Sequence, residues 1–210
     1  MRSVRRFAII GQRALAKGKL PLNDLAGGAG RMDVLVRGLM ASLLTSHGVR
    51  ENTECILHLH GGPGPSRRIK FNGHEIKGMH ADERSVAGLI AKVIREPLPP
   101  IGHWIERQHG IYDSGGTIEQ TLQEWDNDVT IILDAHQPML WSEPGVGNPS
   151  PSFKSIGFIV GDDQELPHFK HDDKCLKRSL GQDWLQGSAA ISICHFILDR
   201  GEHLNLNPDT

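Results

Sequence analysis

Two short runs of apolar residues constrain the fold most strongly, because neither alternates between apolar and polar positions. Residues 129–133 read VTIIL and residues 156–160 read IGFIV. Strands buried on both faces carry such continuous runs, and they occur mainly in parallel sheets covered by helices. Residues 4–10, 54–59 and 67–71 read as further strands. The pattern therefore predicts a sheet with a parallel part at the centre of the protein.

Helical segments alternate with the predicted strands. The clearest has seven apolar residues at the spacing of one helix face, namely Met32, Leu35, Val36, Leu39, Met40, Leu43 and Leu44. Asp82 is suited to cap a second helix, and Thr117 opens the T-x-x-Q pattern of a capping box. A last helix is expected from about Asp183 to Asp199. Strands that alternate with helices indicate an α/β fold.

The size and composition favour one globular domain over residues 1–210. Hydrophobic residues make up 38% and charged residues 23% of the chain, as in ordinary globular proteins. No apolar stretch approaches the ~20 residues of a membrane span, and the basic N-terminus does not resemble a secretory signal. Three widely spaced cysteines, Cys55, Cys175 and Cys194, exclude a disulfide framework and a zinc ribbon. They fit a protein of the reducing cytoplasm.

Positive and negative charges are distributed unevenly, although the formal net charge is only −2. Residues 1–80 carry 13 Lys/Arg and 5 Asp/Glu, whereas residues 81–210 carry 10 and 20. A basic half on an acidic chain suggests an anionic partner that meets one face of the protein. Accidental clustering explains the same counts equally well.

Two motifs point to chemistry that the rest of the chain does not support. The string HGGPG, which starts at His60, is similar to an oxyanion-hole loop, but the G-x-S-x-G nucleophile elbow of the α/β-hydrolases is absent. His58-x-His60 and His168-x-x-His171 have the spacing of metal ligands, but neither matches H-E-x-x-H or lies near cysteines. We therefore expect neither a hydrolase nor a metal site.

Glycine-containing loops predict where a ligand would approach the backbone. The glycines of residues 27–30 precede a helix, whose free N–H groups could hold a phosphate, although a flexible loop explains them as well. Gly161 ends an apolar run, and residues 177–183 (KRSLGQD) precede the last helix. Together with Leu133, these two later loops could line one pocket at the carboxyl edge of the sheet.

Six strings, taken in order, resemble the archaeal-type tRNA pseudouridine-54 N1-methyltransferases (the TrmY family), which belong to the SPOUT class. No single string is diagnostic, whereas their order and spacing across nearly the whole chain are specific. The strings are GRMDVLVR (30–37), SHGVR (46–50), DER (82–84), GIY (110–112), FIVGD (158–162) and SLG…CHFILD (179–199).

The resemblance implies a SPOUT-type parallel sheet with a deep C-terminal trefoil knot over about 129–200. It also implies S-adenosylmethionine (SAM) as the methyl donor, tRNA as the substrate, and a homodimer with the pocket at the subunit boundary. Carried over by position, the cofactor-binding residues are Leu133, Gly161, Ser179, Leu180, Gly181, Gln182, Asp183, Trp184 and Ala190.

The chain departs from the family pattern at three points. Ala190 stands where the family has a cysteine, residues 163–165 replace a glycine-rich stretch, and an H-x-x-H-C string is absent. Two alternatives therefore stay open. One is the related small-subunit rRNA pseudouridine N1-methyltransferase, and the other is a catalytically inactive knotted RNA-binding protein. The GRMD and SH-x-VR strings favour the tRNA enzyme.

Methyl transfer to a pseudouridine N1 requires in-line positioning of the donor and loss of the N1 proton. Asp33, in the GRMD string, is a candidate base, and its i,i+4 pairing with Arg37 is an equally good structural explanation. RNA is held mainly through its phosphates. The predicted phosphate contacts are Arg31, Arg37, Arg50, Arg67 and Arg68.

Overall fold

The structure, a computed structural model, describes residues 3–141, 153–170 and 172–207. Within these ranges it has ten β-strands, four α-helices and one short 3-10 helix (Asp172–Lys174). The strands and α-helices follow one another as β1 (Val4–Leu15), α1 (Met32–Leu43), β2 (Leu44–Thr45), β3 (Gly48–Val49), β4 (Thr53–Gly61), β5 (Arg67–Asn72), α2 (Glu83–Arg95), β6 (Ile105–Gln108), β7 (Ile111–Gly115), α3 (Ile118–Glu124), β8 (Val129–Leu133), β9 (Ser155–Gly161), β10 (Leu176–Arg178) and α4 (Gly187–Arg200).

Eight of the strands form one sheet in the order β10-β8-β9-β1-β4-β5-β7-β6. The first five of these strands run parallel to one another, and β5, β7 and β6 add an antiparallel half. Phe7 of β1 pairs with Cys55 of β4 on one side and with Phe158 of β9 on the other. The predicted parallel arrangement is confirmed, since the runs at 129–133 and 156–160 form β8 and β9.

Side chains of β1 alternate between two hydrophobic cores, one on each face of the sheet. Phe7 and Ile9 belong to the larger core, which includes residues of α1, α2 and α4. Ala8 and Ile10 belong to a smaller core that includes Ile118 of α3. Because successive side chains of a strand point to opposite faces, a strand covered on both sides needs apolar residues at every position.

Capping groups fix the starts of α2 and α3 as predicted. The backbone N–H of Ser85 donates to the Asp82 carboxylate across 2.7 Å. The backbone N–H of Thr117 donates to the Gln120 side-chain oxygen, also across 2.7 Å. Each bond satisfies a donor that a helix start leaves without a partner within the helix.

The last helix begins later than predicted. α4 starts at Gly187 and not near Asp183, because residues 182–186 form an exposed loop with no face to bury. The buried side of the helix begins with Gly187, Ala190 and Ile191. At its end, Gly201 adopts a left-handed conformation (φ 70°), the usual glycine termination of a helix. No helix within the described residues is long and apolar enough to cross a membrane.

Candidate functional site

A cavity of about 750 Å³ opens at the carboxyl edge of the parallel half of the sheet. Residues that end β8 and β9, residues that follow β10, and the first turn of α4 line it. In open α/β sheets this edge is where ligands bind, and the volume is typical of small-molecule sites.

Six of the nine residues assigned to the cofactor by resemblance line this cavity, namely Leu133, Gly161, Leu180, Asp183, Trp184 and Ala190. The other three do not. Ser179 is buried, and its N–H donates to the Pro138 carbonyl across 2.8 Å. Gly181 turns the chain with a φ of 149°, and Gln182 is exposed. The structure thus brings the three predicted loops together around one space.

Small residues bring the start of α4 against the end of β9. A Cβ added to Gly187 would lie 3.2 Å from a methyl group of Val160. A Cβ added to Gly161 would lie 3.1 Å from the Gln164 carbonyl oxygen, so this glycine makes room for its own loop. Ala190, one turn along α4, is buried and adds little bulk to the cavity wall.

The cavity combines apolar walls with a polar rim. Leu133, Val160 and Leu180 contribute apolar surface. Trp184 is 60% exposed, and its ring meets that of His136 edge to face, with 5.4 Å between centroids. Such a site can hold a ligand with a flat apolar ring and several polar groups.

Five charged side chains form a continuous row beside the cavity, which we call the arginine–carboxylate chain. Arg37 donates to Asp33 across 2.7 Å, and Arg31 Nε donates to the other oxygen of Asp33 across 3.0 Å. Arg31 Nη1 also donates to Asp163 across 2.8 Å, and Arg13 donates to both Asp163 oxygens across 2.6 Å. Arg31 and Arg37 line the cavity, whereas Asp33 lies behind them, largely buried.

The arginines keep both carboxylates of this chain ionised. Burial of Asp33 opposes ionisation, but hydrogen bonds from Arg31 and Arg37 outweigh it and lower the pKa of Asp33 below its ordinary value. The hydrogen bond from Arg13 is the largest cause of the lowered pKa of Asp163. With three guanidinium groups and two carboxylates, the arginine–carboxylate chain has a net positive charge next to the cavity.

Arg31 adopts an unusual backbone conformation at the start of α1. Its φ is 64°, and no other non-glycine residue in the described ranges has a positive φ. Such a conformation costs free energy and persists only where surrounding contacts fix it. The ion pairs to Asp33 and Asp163 supply contacts of this kind.

The other three arginines predicted to contact RNA do not line the cavity. Arg50 lies outside the cavity lining, and its guanidinium lies 3.0 Å from Asp199. Arg67 and Arg68 are 1% and 0% exposed, so the prediction that they meet RNA phosphates is wrong. Burial removes them from any phosphate backbone outside the protein.

Internal partners explain why this arginine pair is buried. Arg67 donates to the carbonyl oxygens of Val93 and Glu96 at the end of α2. Arg68, on the other face of β5, donates to both carboxylate oxygens of Glu124 across 2.9 and 2.8 Å. These arginines join the antiparallel half of the sheet to its helices.

The glycine loop before α1 does not offer free donors for a phosphate. The N–H groups of Gly27 and Gly28 donate to the Asp24 carboxylate across 2.9 and 2.7 Å. The loop therefore provides its own anion, and the phosphate interpretation of these glycines is wrong.

The histidine motifs form no metal-ligand cluster in the part of the chain that the structure describes. His171 lies outside the described residues. His58 is fully buried, and burial lowers its pKa well below the ordinary value. His60 bonds to the Ser66 hydroxyl through Nδ1 across 2.7 Å.

The fold defines the class of this protein. It matches the crystal structure of Archaeoglobus fulgidus Nep1 bound to S-adenosylhomocysteine, with a TM-score of 0.59 and 12% sequence identity. The match covers 96% of this chain and 99% of that chain. At this identity it shows the fold alone, which is of the SPOUT type.

Sequence comparison then gives the family. The family model described as "Putative SAM-dependent RNA methyltransferase" matches residues 4–203. The tRNA (pseudouridine(54)-N(1))-methyltransferase of Methanocella arvoryzae is 36% identical over 163 residues, which are 78% of this chain and 80% of that protein. The Haloferax volcanii protein of the same name is 30% identical over 200 residues, 93% of this chain and 96% of that protein. This chain therefore belongs to the family of the tRNA (pseudouridine(54)-N(1))-methyltransferases. The six sequence strings predicted this family, and the prediction is confirmed.

Proposed function

We propose that this protein transfers a methyl group from SAM to N1 of pseudouridine 54 in the T-loop of tRNA. The observation that carries the proposal is that six of the nine residues assigned from the family pattern line the same cavity. The names of the relatives supply the reaction and the nucleotide.

The cavity residues fit SAM by size and chemistry. Leu133, Val160 and Leu180 would hold the adenine ring, and the polar rim would take the ribose and amino-acid groups. Ala190 and Gly187 keep side chains out of the space. SAM supplies a methyl group on a positively charged sulfur, which a positioned nucleophile can attack.

Asp33 acts in this proposal as a positioning residue. Its lowered pKa makes it a weak base, and Arg31 and Arg37 occupy its oxygens. It holds these two guanidinium groups at the cavity, where they meet RNA phosphates. The N1 proton leaves to water or to a carboxylate of the lining, after the target nucleotide has turned out of its stack.

The proposal includes a homodimer. Exposed apolar side chains lie close to the cavity and along α4, namely Met139, Trp184, Leu185 and Phe196. Phe196 is 61% exposed. A two-fold dimer would cover these exposed apolar side chains with a second copy of the chain. Since Trp184 and Leu185 line the cavity, the partner would then complete the pocket.

We also infer a single domain whose C-terminal part is knotted over about 129–200. Support comes from the tail after α4. The backbone of Asn205 donates to the Leu140 carbonyl across 2.7 Å, and Arg178 Nε donates to the Asn205 carbonyl across 2.8 Å. The tail thus contacts both the segment that follows β8 and the last residue of β10. Cys55 and Cys194 are buried free thiols, which supports a reducing compartment such as the cytoplasm.

One transfer experiment separates the proposal from its alternatives. Protein and SAM are incubated with tRNA transcripts that carry pseudouridine or uridine at position 54, and with a small-subunit rRNA hairpin that carries pseudouridine. Digestion and mass spectrometry then quantify 1-methylpseudouridine. We expect product only from the tRNA with pseudouridine 54. Product from the rRNA hairpin alone would support the rRNA enzyme, and no product from any RNA would support the inactive RNA-binding protein.

A further inference from the structure

Two guanidinium groups beside the cavity share one carboxylate. Arg13 Nη2 lies 2.6 Å from each oxygen of Asp163, and Arg31 Nη1 lies 2.8 Å from one of them. Arg13 lies in β1, Arg31 precedes α1, and Asp163 follows β9. Three distant parts of the chain therefore converge on a single negative charge.

The same two guanidinium groups suit a phosphodiester. A phosphodiester presents two oxygens that share one negative charge, as the Asp163 carboxylate does here, and guanidinium groups donate paired hydrogen bonds to both kinds of anion. The side chains of Arg13, Arg31 and Asp163 are 49%, 32% and 31% exposed. An anion from solution can therefore reach the arginines.

We propose that Arg13 and Arg31 form a phosphate-binding site for the RNA substrate, and that Asp163 occupies this site as an internal competitor until a phosphodiester displaces it. The inference rests on the proposed function for the identity of the anion. Exposed ion pairs contribute little to stability, so exchange of one anion for another costs little. The carboxylate would lower affinity for every RNA, so that only RNAs that make further contacts with the protein would bind tightly.

The loop that carries Asp163 has anchors of its own. The Asp162 carboxylate accepts hydrogen bonds from the backbone N–H groups of Gln12 and Gln164, across 2.8 and 2.9 Å. The Gln12 side chain donates to the Glu165 carbonyl across 2.6 Å. Asp163 lines the cavity, but its loop is anchored by these other residues, so the Asp163 side chain can leave the arginines while the loop stays in place.

Arg31 is likewise fixed without Asp163. Its Nε and Nη2 atoms donate to the two oxygens of Asp33 across 3.0 and 3.3 Å. This fork leaves Nη1, the atom that contacts Asp163, aimed at the shared anion. The site therefore keeps its geometry when the anion changes.

The test compares the affinity of a fluorescein-labelled T-arm hairpin for the wild type and for Asp163→Asn, with S-adenosylhomocysteine present. We expect roughly three- to tenfold tighter binding by Asp163→Asn at low salt, and a smaller gain at high salt, because salt screens the repulsion that is removed. Asp126→Asn is the matched control. It removes the same charge from an exposed position before β8, at the opposite edge of the sheet. Its affinity should stay within about twofold of the wild type.

A second variant tests the site itself. Adding Arg13→Gln to Asp163→Asn should abolish the gain in affinity. Unchanged or weaker RNA binding by Asp163→Asn, or no RNA binding by either protein, would overturn the inference. A loss of S-adenosylhomocysteine affinity in Asp163→Asn would also overturn it, since the carboxylate would then support the cavity wall. The proposed function is judged separately by the transfer of a methyl group to pseudouridine 54.

Discussion

Arg5 and His195, which belong to the first strand and the last helix, are joined by a hydrogen bond of 2.9 Å between Arg5 Nη1 and His195 Nδ1. An arginine can only donate, so Nδ1 is the acceptor. The other ring nitrogen, Nε2, lies 2.9 Å from the Ser42 carbonyl oxygen and carries the proton. His195 is therefore neutral and links β1, α1 and α4.

We predict that the free energy of unfolding decreases as the pH falls from about 6.5 to about 4. Burial, followed by the charge of Arg50, lowers the pKa of His195 to about 4 from 6.5. Between these values the unfolded chain binds a proton that the folded protein does not, so acid favours unfolding. His195 contributes up to about 3 kcal/mol of this change.

Urea denaturation at several pH values between 4 and 7.5 measures the effect. The variant His195→Gln should be less stable at neutral pH and should show a shallower dependence over this interval. Buried His58 contributes a slope of the same sign, so the dependence should not vanish. An identical slope in the variant and the wild type would contradict the prediction.

The second prediction concerns Asp33→Asn. Loss of the carboxylate releases Arg31 and Arg37 from their positions at the cavity, and we expect kcat/KM for tRNA to fall roughly 10- to 100-fold. The shape of the pH–rate profile should not change, because Asp33 is ionised throughout the neutral range. Loss of the acidic limb of the profile in the variant would instead identify Asp33 as the general base.

Arg68→Ala should destabilise the fold without acting on RNA. The substitution removes a fully buried guanidinium and both hydrogen bonds to Glu124. Glu124 is one-third exposed and can regain water, but the Gly115 carbonyl and the buried hydroxyls of Ser114 and Thr121 also lose this donor. We therefore expect a loss of about 3 kcal/mol or more. Thermal unfolding measures the loss, and RNA affinity of the folded variant should equal that of the wild type. Weaker RNA binding with unchanged stability would contradict this prediction and would show that Arg68 contacts RNA.

Phe196→Glu should convert the proposed homodimer to a monomer. Phe196 is exposed on α4, so the fold tolerates the charge, whereas an apolar subunit interface does not. Light scattering at micromolar concentration should give about twice 23.2 kDa for the wild type and 23.2 kDa for the variant. Circular dichroism checks that the variant is folded. A monomeric wild type would contradict the homodimer directly.

The three loops of the cavity could be predicted because each follows a local signal. Leu133 and Gly161 end apolar runs, and residues 177–183 precede the last helix, whereas Trp184 and Ala190 were assigned from the family resemblance alone. The strands β6, β7 and β10 have no such signal. β6 reads IERQ and is exposed at most positions, and β10 has three residues. The positions of β6, β7 and β10 in the sheet depend on pairing with neighbouring strands, which the periodicity of the sequence does not reveal.

The i,i+4 pair of Asp33 and Arg37 was predicted and is confirmed, but the other charged contacts could not be predicted, since their partners are distant along the chain. Arg13 and Asp163 are 150 positions apart, and Arg68 and Glu124 are 56 apart. The string RRIKF of β5 gives no sign that two arginines on opposite faces of a strand are both buried. The local signals for the arginine–carboxylate chain were the i,i+4 spacing of Asp33 and Arg37 and the pair of acidic residues directly after the FIVG run.

Calorimetric titration with SAM tests the central claim most directly, because the claim places the methyl donor in the cavity between the three loops. Ala190→Leu adds bulk to the cavity wall, and Ala81→Leu adds the same bulk to an exposed position outside the cavity lining. We predict micromolar-range binding of one SAM per chain by the wild type and by Ala81→Leu, and its loss in a folded Ala190→Leu. A wild type that binds no SAM, or an Ala190→Leu variant that binds it equally well, would contradict the account.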